Sequence, residues 1–303
     1  MPARFDPRIA AKMLPGLPPP ETFQGAGLAR WEWPGVTFRL ISDGAMTLPF
    51  AALAPDAPPA ELDRIAAAGA RPEYARGEIT CALIDAGNQI VLVDTGAGST
   101  WQSGAGQLIR NLAANAIAPE TISHVVLTHM HADHAGGALT TGGAPAFPNA
   151  RYIVGAAEHA LWSQPGLADK VNPAFRDTVL GAQRVLRGLG DRVHAVKDGD
   201  AIIPGLTVMD TPGHSPGHIS LMLDAGPGII LTGDALIHDR ISFECPDWAF
   251  GFDADADLAR VSRRRLLDLA VSSGHLMSGV HWKWPGLGHA VAFGDAFRFV
   301  PFD

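Results

Sequence analysis

The stretch Leu127-Thr128-His129-Met130-His131-Ala132-Asp133-His134-Ala135-Gly136-Gly137 decides how this chain is read. Its middle carries imidazoles and a carboxylate, the donors that zinc and similar divalent ions accept. The apolar run from His124 to Thr128 predicts a short buried strand, which puts the cluster on a loop at a strand end. In extended backbone His129 and His131 leave on one face and can share a metal. Asp133 and His134 follow where the chain turns into its next element, aimed at a second position close by. Gly136 and Gly137 allow close backbone approach there. Chance decoration of a turn is set aside, because further donors follow downstream.

Those donors recur in one kind of place. Leu206 to Met209 predicts a strand running into Asp-Thr-Pro-Gly-His-Ser-Pro-Gly-His, residues 210–218. Ile229 to Leu231 predicts another, ending at Thr232-Gly233-Asp234. A last strand, His275 to Val280, delivers His281 and then Trp282, Lys283, Trp284 and, further on, His289. Ile219 begins a strand directly after His218, so His218 is read as structural and His214 as the donor. His281 directly follows its strand and is preferred to His289. His124 and His159 fall inside a strand and a helix and read as packing or surface residues. Sheets hold strand-end loops rigidly at one edge, where a preorganised site is best built.

At 303 residues, 47% hydrophobic and 18% charged, the chain has the composition of an ordinary globular protein with room for a large core. A formal net charge of −8 argues against a protein that grips nucleic acid. No apolar run is long enough to span a membrane. The N-terminus lacks the apolar core of a secretory signal, so a cytoplasmic location is expected. Cys81 and Cys245 do not make a disulfide framework.

Residues 1–35 are rich in Pro and Gly with Phe23, Trp31 and Trp33, an irregular arm that should pack on its own body or join two copies into a homodimer. Residues 36–303 are read as a single domain, with 49–78 as an insertion suited to a flap and a helix over Pro59–Ala68. Val36–Ile41 predicts a strand ending in the turn Ser42-Asp43-Gly44. Ile79–Ile84 and Gln89–Val93 predict a hairpin that ends in Asp94-Thr95-Gly96. Helices are predicted over Gln107–Asn115, Ala156–Trp162, Asp177–Leu189 and Asp257–Ala270, with Arg263, Arg264 and Arg265 on a solvated face. Residues 235–254 read as a loop holding Phe243, Trp248, Phe250 and Phe252.

The succession His-x-His-x-Asp-His, Gly-His, Gly-Asp and Val-His, in this order from about residue 36 onward, resembles the metallo-β-lactamase superfamily. The resemblance implies an αββα sandwich: two mixed β-sheets face to face, flanked by helices, in the α/β (α+β) class. Within it, the segments around His214 and His281 resemble the quorum-quenching lactonase and methyl parathion hydrolase group. Carried over residue by residue, His129, His131 and His214 would bind a first metal, Asp133, His134 and His281 a second, and Asp234 would bridge them. Asp94 would orient a ligand histidine through its second ring nitrogen. Zinc is the first expectation for both ions, with iron, manganese or cobalt compatible with N and O donors.

Two aspartates offset only part of the charge of two divalent ions, so a bridging hydroxide is stabilised and metal-assisted hydrolysis is the implied reaction. Asp133 or Asp234 would shuttle the proton to the leaving group. A small-molecule lactone or ester is the expected substrate, with a phosphotriester or a glyoxalase II-like thioester as alternatives and a non-catalytic metal protein last. The penicillin-cleaving subgroup places Cys among its ligands, whereas Asp234 stands here. Only Tyr74 and Tyr152 could replace the tyrosine usual in the lactonases, and neither is an evident match. The pocket is expected to be walled by Phe243, Trp248, Phe250, Trp282 and Trp284.

Overall fold

The computed structural model describes residues 27–66, 74–99 and 101–302. Its centre is laid down by short strands that are apolar on both faces. In β4 (Ile90–Val93) and β5 (His124–Leu127), Val91, Val93 and Val126 face one core while Leu92, Val125 and Leu127 face another. The two strands pair in parallel, Leu92 opposite Val125. Burial on both faces marks them as central strands covered on each side.

Around them, β1 (Leu28–Trp33), β2 (Val36–Pro49) and β3 (Tyr74–Asp85) add antiparallel neighbours on one side. On the other, β6 (Arg151–Gly155) and β7 (Val193–Val196) add parallel ones. The second sheet runs β8 (Ala201–Ile203), β9 (Leu206–Asp210), β10 (Ile219–Leu223), β11 (Ile229–Leu231), β12 (Leu276–Ser278), β13 (Leu287–Phe293) and β14 (Ala296–Pro301). Its β11–β12 pair is parallel and the rest antiparallel. Both sheets are therefore mixed.

Phe38, Leu40, Ile84 and Val126 of the first sheet meet Val208, Ile219, Leu221 and Leu231 of the second in one buried layer. The outer face of the first sheet is covered by α3 (Leu108–Ala114), α5 (Ala156–Trp162) and α6 (Arg176–Leu189). After the short helix α7 (Ile241–Glu244), which interrupts the loop expected over 235–254, the outer face of the second is covered by α8 (Ala256–Ser273), whose Leu266, Leu267 and Ala270 pack on Ile230 and Met277. Each fully buried aliphatic side chain contributes about 1.5–3 kcal/mol of transfer free energy. The result is the αββα sandwich expected from the sequence.

Several segments depart from the expectation. Ser42-Asp43-Gly44 is not a turn: β2 continues through it to Pro49, with the register against β3 shifting between Ser42 and Gly44. The buried Asp43 carboxylate accepts N–H bonds from Ala97, Gly106 and Leu108, which fixes the bulge. Burial pushes the pKa of Asp43 up to about 6, against the pull of those three bonds.

In the arm, Leu28–Trp33 is the edge strand β1, with Trp31 and Trp33 against Phe38. Residues 1–26, with Phe23, lie outside the described residues. The expected insertion holds two short helices, α1 (Phe50–Leu53) and α2 (Pro59–Ala66), before the chain re-enters the sheet at Tyr74. Its Phe50, Leu53 and Ile65 pack with Ile237 and Phe250. Strands β7, β8, β13 and β14 were not expected. They lie toward the sheet edges, where half-exposed residues blur the two-residue period.

The basic triplet is corrected as well. Arg264 and Arg265 reach solvent, but Arg263 is fully buried on the inner stripe of α8 with Ala259, Leu266, Leu267 and Ala270. The helical spacing of that stripe already contained Arg263.

Candidate metal centre

Five strand ends deliver the donors to one edge of the sandwich. Asp94 follows β4, the His129–His134 segment follows β5, and His214 lies on the β9–β10 loop. Asp234 follows β11 and His281 follows β12. The short helix α4 (Ala132–Ala135) turns Asp133 and His134 inward. Gly137 is needed beside it, because a Cβ there would sit 2.0 Å from the Thr95 carbonyl oxygen.

Three donor groups form among the described residues: His129, His131 and His214; His129, His134 and Asp234; Asp133, His134 and His281. Within each, the ligand atoms lie within 4.8 Å of one another. His131 Nδ1 is 3.0 Å from His214 Nε2, and His134 Nε2 is 3.3 Å from His281 Nε2. Asp234 stands between the two pairs. Its Oδ1 is 3.3 Å from His134 Nε2 and 3.2 Å from His281 Nε2, and its Oδ2 is 3.4 Å from His214 Nε2. Asp133 Oδ2 is 3.5 Å from His281 Nε2.

The fit of a metal to these side chains can be judged from what is left unpaired. His129 Nε2 and Asp234 Oδ1 are buried without an aligned hydrogen bond, despite the crowd around them. Buried polar atoms are seldom orphaned, and imidazole nitrogens facing each other at hydrogen-bond distance want a common electron-pair acceptor. The donor set of N and O atoms fits divalent metal ions.

The opposite ring nitrogens are fixed by the surrounding protein. His134 Nδ1 lies 2.8 Å from Asp94 Oδ2, and the Asp94 carboxylate also accepts from the Thr128 N–H at 2.8 Å and the Thr128 hydroxyl at 2.9 Å. Asp94 itself sits at φ 60°, a left-handed conformation that Asp tolerates better than most residues. His281 Nδ1 donates to the Glu78 carbonyl oxygen at 2.9 Å, and His214 Nδ1 lies 3.3 Å from Asp253 Oδ1. Such partners set the tautomer that points Nε2 inward.

The carboxylates divide the rings by charge. Burial, then the neighbouring imidazoles, hold His129 and His131 well below the ordinary histidine value, so both are neutral donors at pH 7. Burial opposes a charged His134, yet the carboxylates of Asp234, Asp133 and Asp94 outweigh it and hold the group well above its usual value. Burial likewise opposes the Asp234 anion, and His134 and His281 overcome it.

His218 is not part of the donor set. Its Nε2 accepts the Asp234 backbone N–H at 2.9 Å and its Nδ1 donates to the Thr211 hydroxyl at 2.8 Å. Burial pushes its pKa down to about 3, so it is a neutral strut under Asp234. His289 lies on β13 opposite Leu276, at the start of β12 and not at the end that His281 follows, and contacts Phe302.

The pocket above this floor has a volume of about 420 Å³. Its walls are Met46, Leu48, Trp101, Phe175, Ile237 and Phe252, with Gln102, Ala174 and Thr178. None of the five aromatics expected there lines it. Phe243 and Trp282 are fully buried, edge to face with ring centroids 5.1 Å apart in the core under α8, and the Trp282 indole N–H donates to the Leu236 carbonyl. Phe250 is buried beneath the Arg263 guanidinium. Trp248 packs at the edge of that cluster, and Trp284 lines a separate groove with Arg240 and Arg298. A position next to a donor in sequence says little about direction, since successive side chains point apart. Tyr152 is fully buried and accepts the Phe147 N–H, so it does not reach the pocket, and the side chain of Tyr74 lies outside the described residues.

Sequence reasoning also missed Asp253, Arg263 and Glu158. Arg263 donates to the Ala235, Pro246 and Trp248 carbonyls and to Asp253 Oδ2, tying the partner of His214 to the segment that carries Asp234. Burial lowers its pKa to about 10, which leaves it charged at neutral pH. Only the helical period of α8 hinted at Arg263; nothing in the sequence pattern marks the other two.

Comparison with known proteins agrees with this geometry. The model of the metallo-beta-lactamase superfamily matches residues 75–275, and the chain belongs to that superfamily. An N-acyl homoserine lactonase from a Bacillus species is 30% identical over 151 residues, 48% of this chain and 50% of the relative. The chain thus matches about half the length of that lactonase. The solved structure of the hydrolase AbOPH, in the beta lactamase superfamily, aligns with a TM-score of 0.86 at 27% identity, covering 93% of this chain and 99% of that one. AidC, a dizinc quorum-quenching lactonase solved with the product N-hexanoyl-L-homoserine, shares the fold. Its TM-score is 0.85 at 23% identity, over 91% of this chain and 98% of AidC. Family and relatives together support a hydrolytic enzyme. Among the described residues no helix is long and apolar enough to cross a membrane.

Proposed function

We propose that this protein is a dinuclear metal-dependent hydrolase acting on a small, uncharged lactone or ester. The observation that carries the reading is the pair of facing imidazole sets, His131 with His214 and His134 with His281, on either side of an Asp234 carboxylate whose Oδ1 has no aligned hydrogen bond. His129, His131 and His214 would hold one ion, Asp133, His134 and His281 the other, with Asp234 shared. Divalent ions held there supply a water made acidic enough to attack at neutral pH and an electrophile for the carbonyl or phosphoryl oxygen.

The chain's own residues do the rest. Asp94, the Glu78 carbonyl and Asp253 orient the rings. Asp133 and Asp234 both belong to the floor and line the pocket, which suits either carboxylate to pass a proton to the leaving group. The walls bind by burial. Among their described residues none is Lys or Arg, so they offer no counter-charge to an anionic substrate and suit an acyl chain or aromatic ester. The kinship with acyl homoserine lactonases points to lactones within that class.

A phosphotriester is the second reading, favoured by the absence of a tyrosine among the described pocket residues. The test is a side-by-side comparison of kcat/KM on N-acyl homoserine lactones, p-nitrophenyl esters and a paraoxon-type phosphotriester, with metal content measured on the same sample. Two ions per chain and lactone turnover well above the others is the expected result. Two ions with no hydrolysis of any class would sink the enzymatic reading. Whether the protein dimerises through residues 1–35 is tested by light scattering before and after their removal.

A further inference from the structure

We propose that Glu158 is the positioning residue of the first metal position, holding the two loops that supply its donors in register; this rests on the two-metal reading above. The donors of that position come from distant parts of the chain. His129 and His131 follow β5, whereas His214 is 83 residues beyond His131. A backbone bond from the Ile219 N–H to the Thr128 oxygen joins the roots of the two segments. Their tips need something else.

Glu158, in the first turn of α5, is fully buried and reaches both. Its Oε1 accepts the N–H of Met130, the residue between the two histidines, at 3.0 Å. Its Oε2 accepts the Ser215 hydroxyl at 2.8 Å and the Gly217 N–H at 3.0 Å, directly after His214. The Trp162 indole N–H, one turn on, donates to Oε1 at 2.7 Å, and the Trp162 ring stands edge-on to His131. All four groups donate and none accepts, so an ionised carboxylate is the side chain that satisfies them. A glutamine would set an N–H against a backbone N–H.

The loop is also seated on the helix by contact. A Cβ on Gly217 would lie 1.9 Å from the Glu158 nitrogen, so this residue is glycine because the backbones touch. The second metal position has no such dependence. Asp133 and His134 are adjacent in sequence, and His281 is fixed by the Glu78 carbonyl. Loss of Glu158 should therefore make the two positions unequal.

The experiment measures zinc release from the loaded, full-length protein by chelator competition, for the parent, Glu158→Gln and Ser215→Ala, alongside thermal unfolding of the metal-free forms. Supporting partners of ligands change metal affinity by about 10–100-fold. Glu158→Gln should release one zinc about 10–100-fold more readily and the other as the parent does. Anomalous diffraction should show the depleted position between His131 and His214. Ser215→Ala, which removes one of the four donors, should move the same zinc in the same direction by less, and it decides the matter if Glu158→Gln does not fold. Two zinc ions held as in the parent would overturn the inference. So would equal weakening of both in step with the metal-free melting temperature, which is what a merely structural residue gives. A parent that holds no zinc would overturn the two-metal reading, and this inference with it.

Discussion

The floor and the walls of the pocket are built on opposite principles. The donors of the floor stand at strand ends, and three of the histidines have the far side of the ring held by a named partner: Asp94 behind His134, the Glu78 carbonyl behind His281, Asp253 behind His214. The walls are gathered from unconnected places: Met46 and Leu48 at the end of β2, Trp101 after β4, Phe175 before α6, Phe252 ahead of α8. They meet through apolar contact, which has no preferred direction. A floor of this kind tolerates almost no change, while walls of this kind can be altered piece by piece. Reaction class should follow the first, and substrate preference the second.

The comparison is broken most directly at Asp234. Asp234→Ala removes the one carboxylate that faces both histidine pairs, and turnover and metal content should fall by orders of magnitude, about 10³-fold or more in kcat if the floor supplies the electrostatic catalysis. Near-normal turnover in a steady-state assay would show that the floor is not the reactive centre.

Trp282 provides the control, since it neighbours His281 in sequence but stands in the core. Trp282→Ala should lower stability by about 3–5 kcal/mol in denaturant unfolding and leave KM near the parent value in whatever folds. A large rise in KM with intact stability would return Trp282 to the wall.

Asp43 lies behind the floor, and its pKa makes a pH prediction. The folded value, about 6, is above the ordinary 3.8, so the folded state holds its proton more tightly than the unfolded state. The stability this gives is complete below pH 3.8 and is lost as pH rises to about 6. At about 1.4 kcal/mol per unit, that is a swing of about 3 kcal/mol. The unfolding free energy of the parent, measured relative to Asp43→Asn, should decline across that window. A flat difference would show a normal carboxylate.

The smallest effects belong to the walls. Trp101→Ala or Phe252→Ala should raise KM for an apolar lactone or ester by about 10-fold, with kcat held, because burial is lost equally from ground and transition states. A fall in kcat with unchanged KM would mean these aromatics act on the reacting atoms, and the contrast between floor and walls would fail.

How legible each part was in the sequence follows from the same physics. The central strands were readable because residues such as Leu92 and Val93, or Val125 and Val126, are buried on both faces, and burial leaves an apolar run. The edge strands β7 and β14 were not, because half their residues face solvent. At the site, the choices of His214 over His218 and of His281 over His289 came from asking which residue lies beyond its strand; His214 and His281 fall in the grouped donors, and His218 accepts the Asp234 N–H. The aromatic walls were misread because nearness to His281 or Asp234 along the chain was taken for nearness in space. Arg263 was misread because charge was weighed above the helical stripe it sits on.

By itself the sequence determined which side chains could meet at a strand edge. Strand period and chain direction are local properties, and a loop that follows a buried strand has few places to go. Only the tertiary structure decided which groups stand behind and around them: Glu158 under two loops, Asp253 and Arg263 behind His214, Trp101 and Phe175 facing one cavity. Those meetings depend on how two sheets and their helices pack, and packing joins residues far apart in sequence without leaving a pattern along the chain.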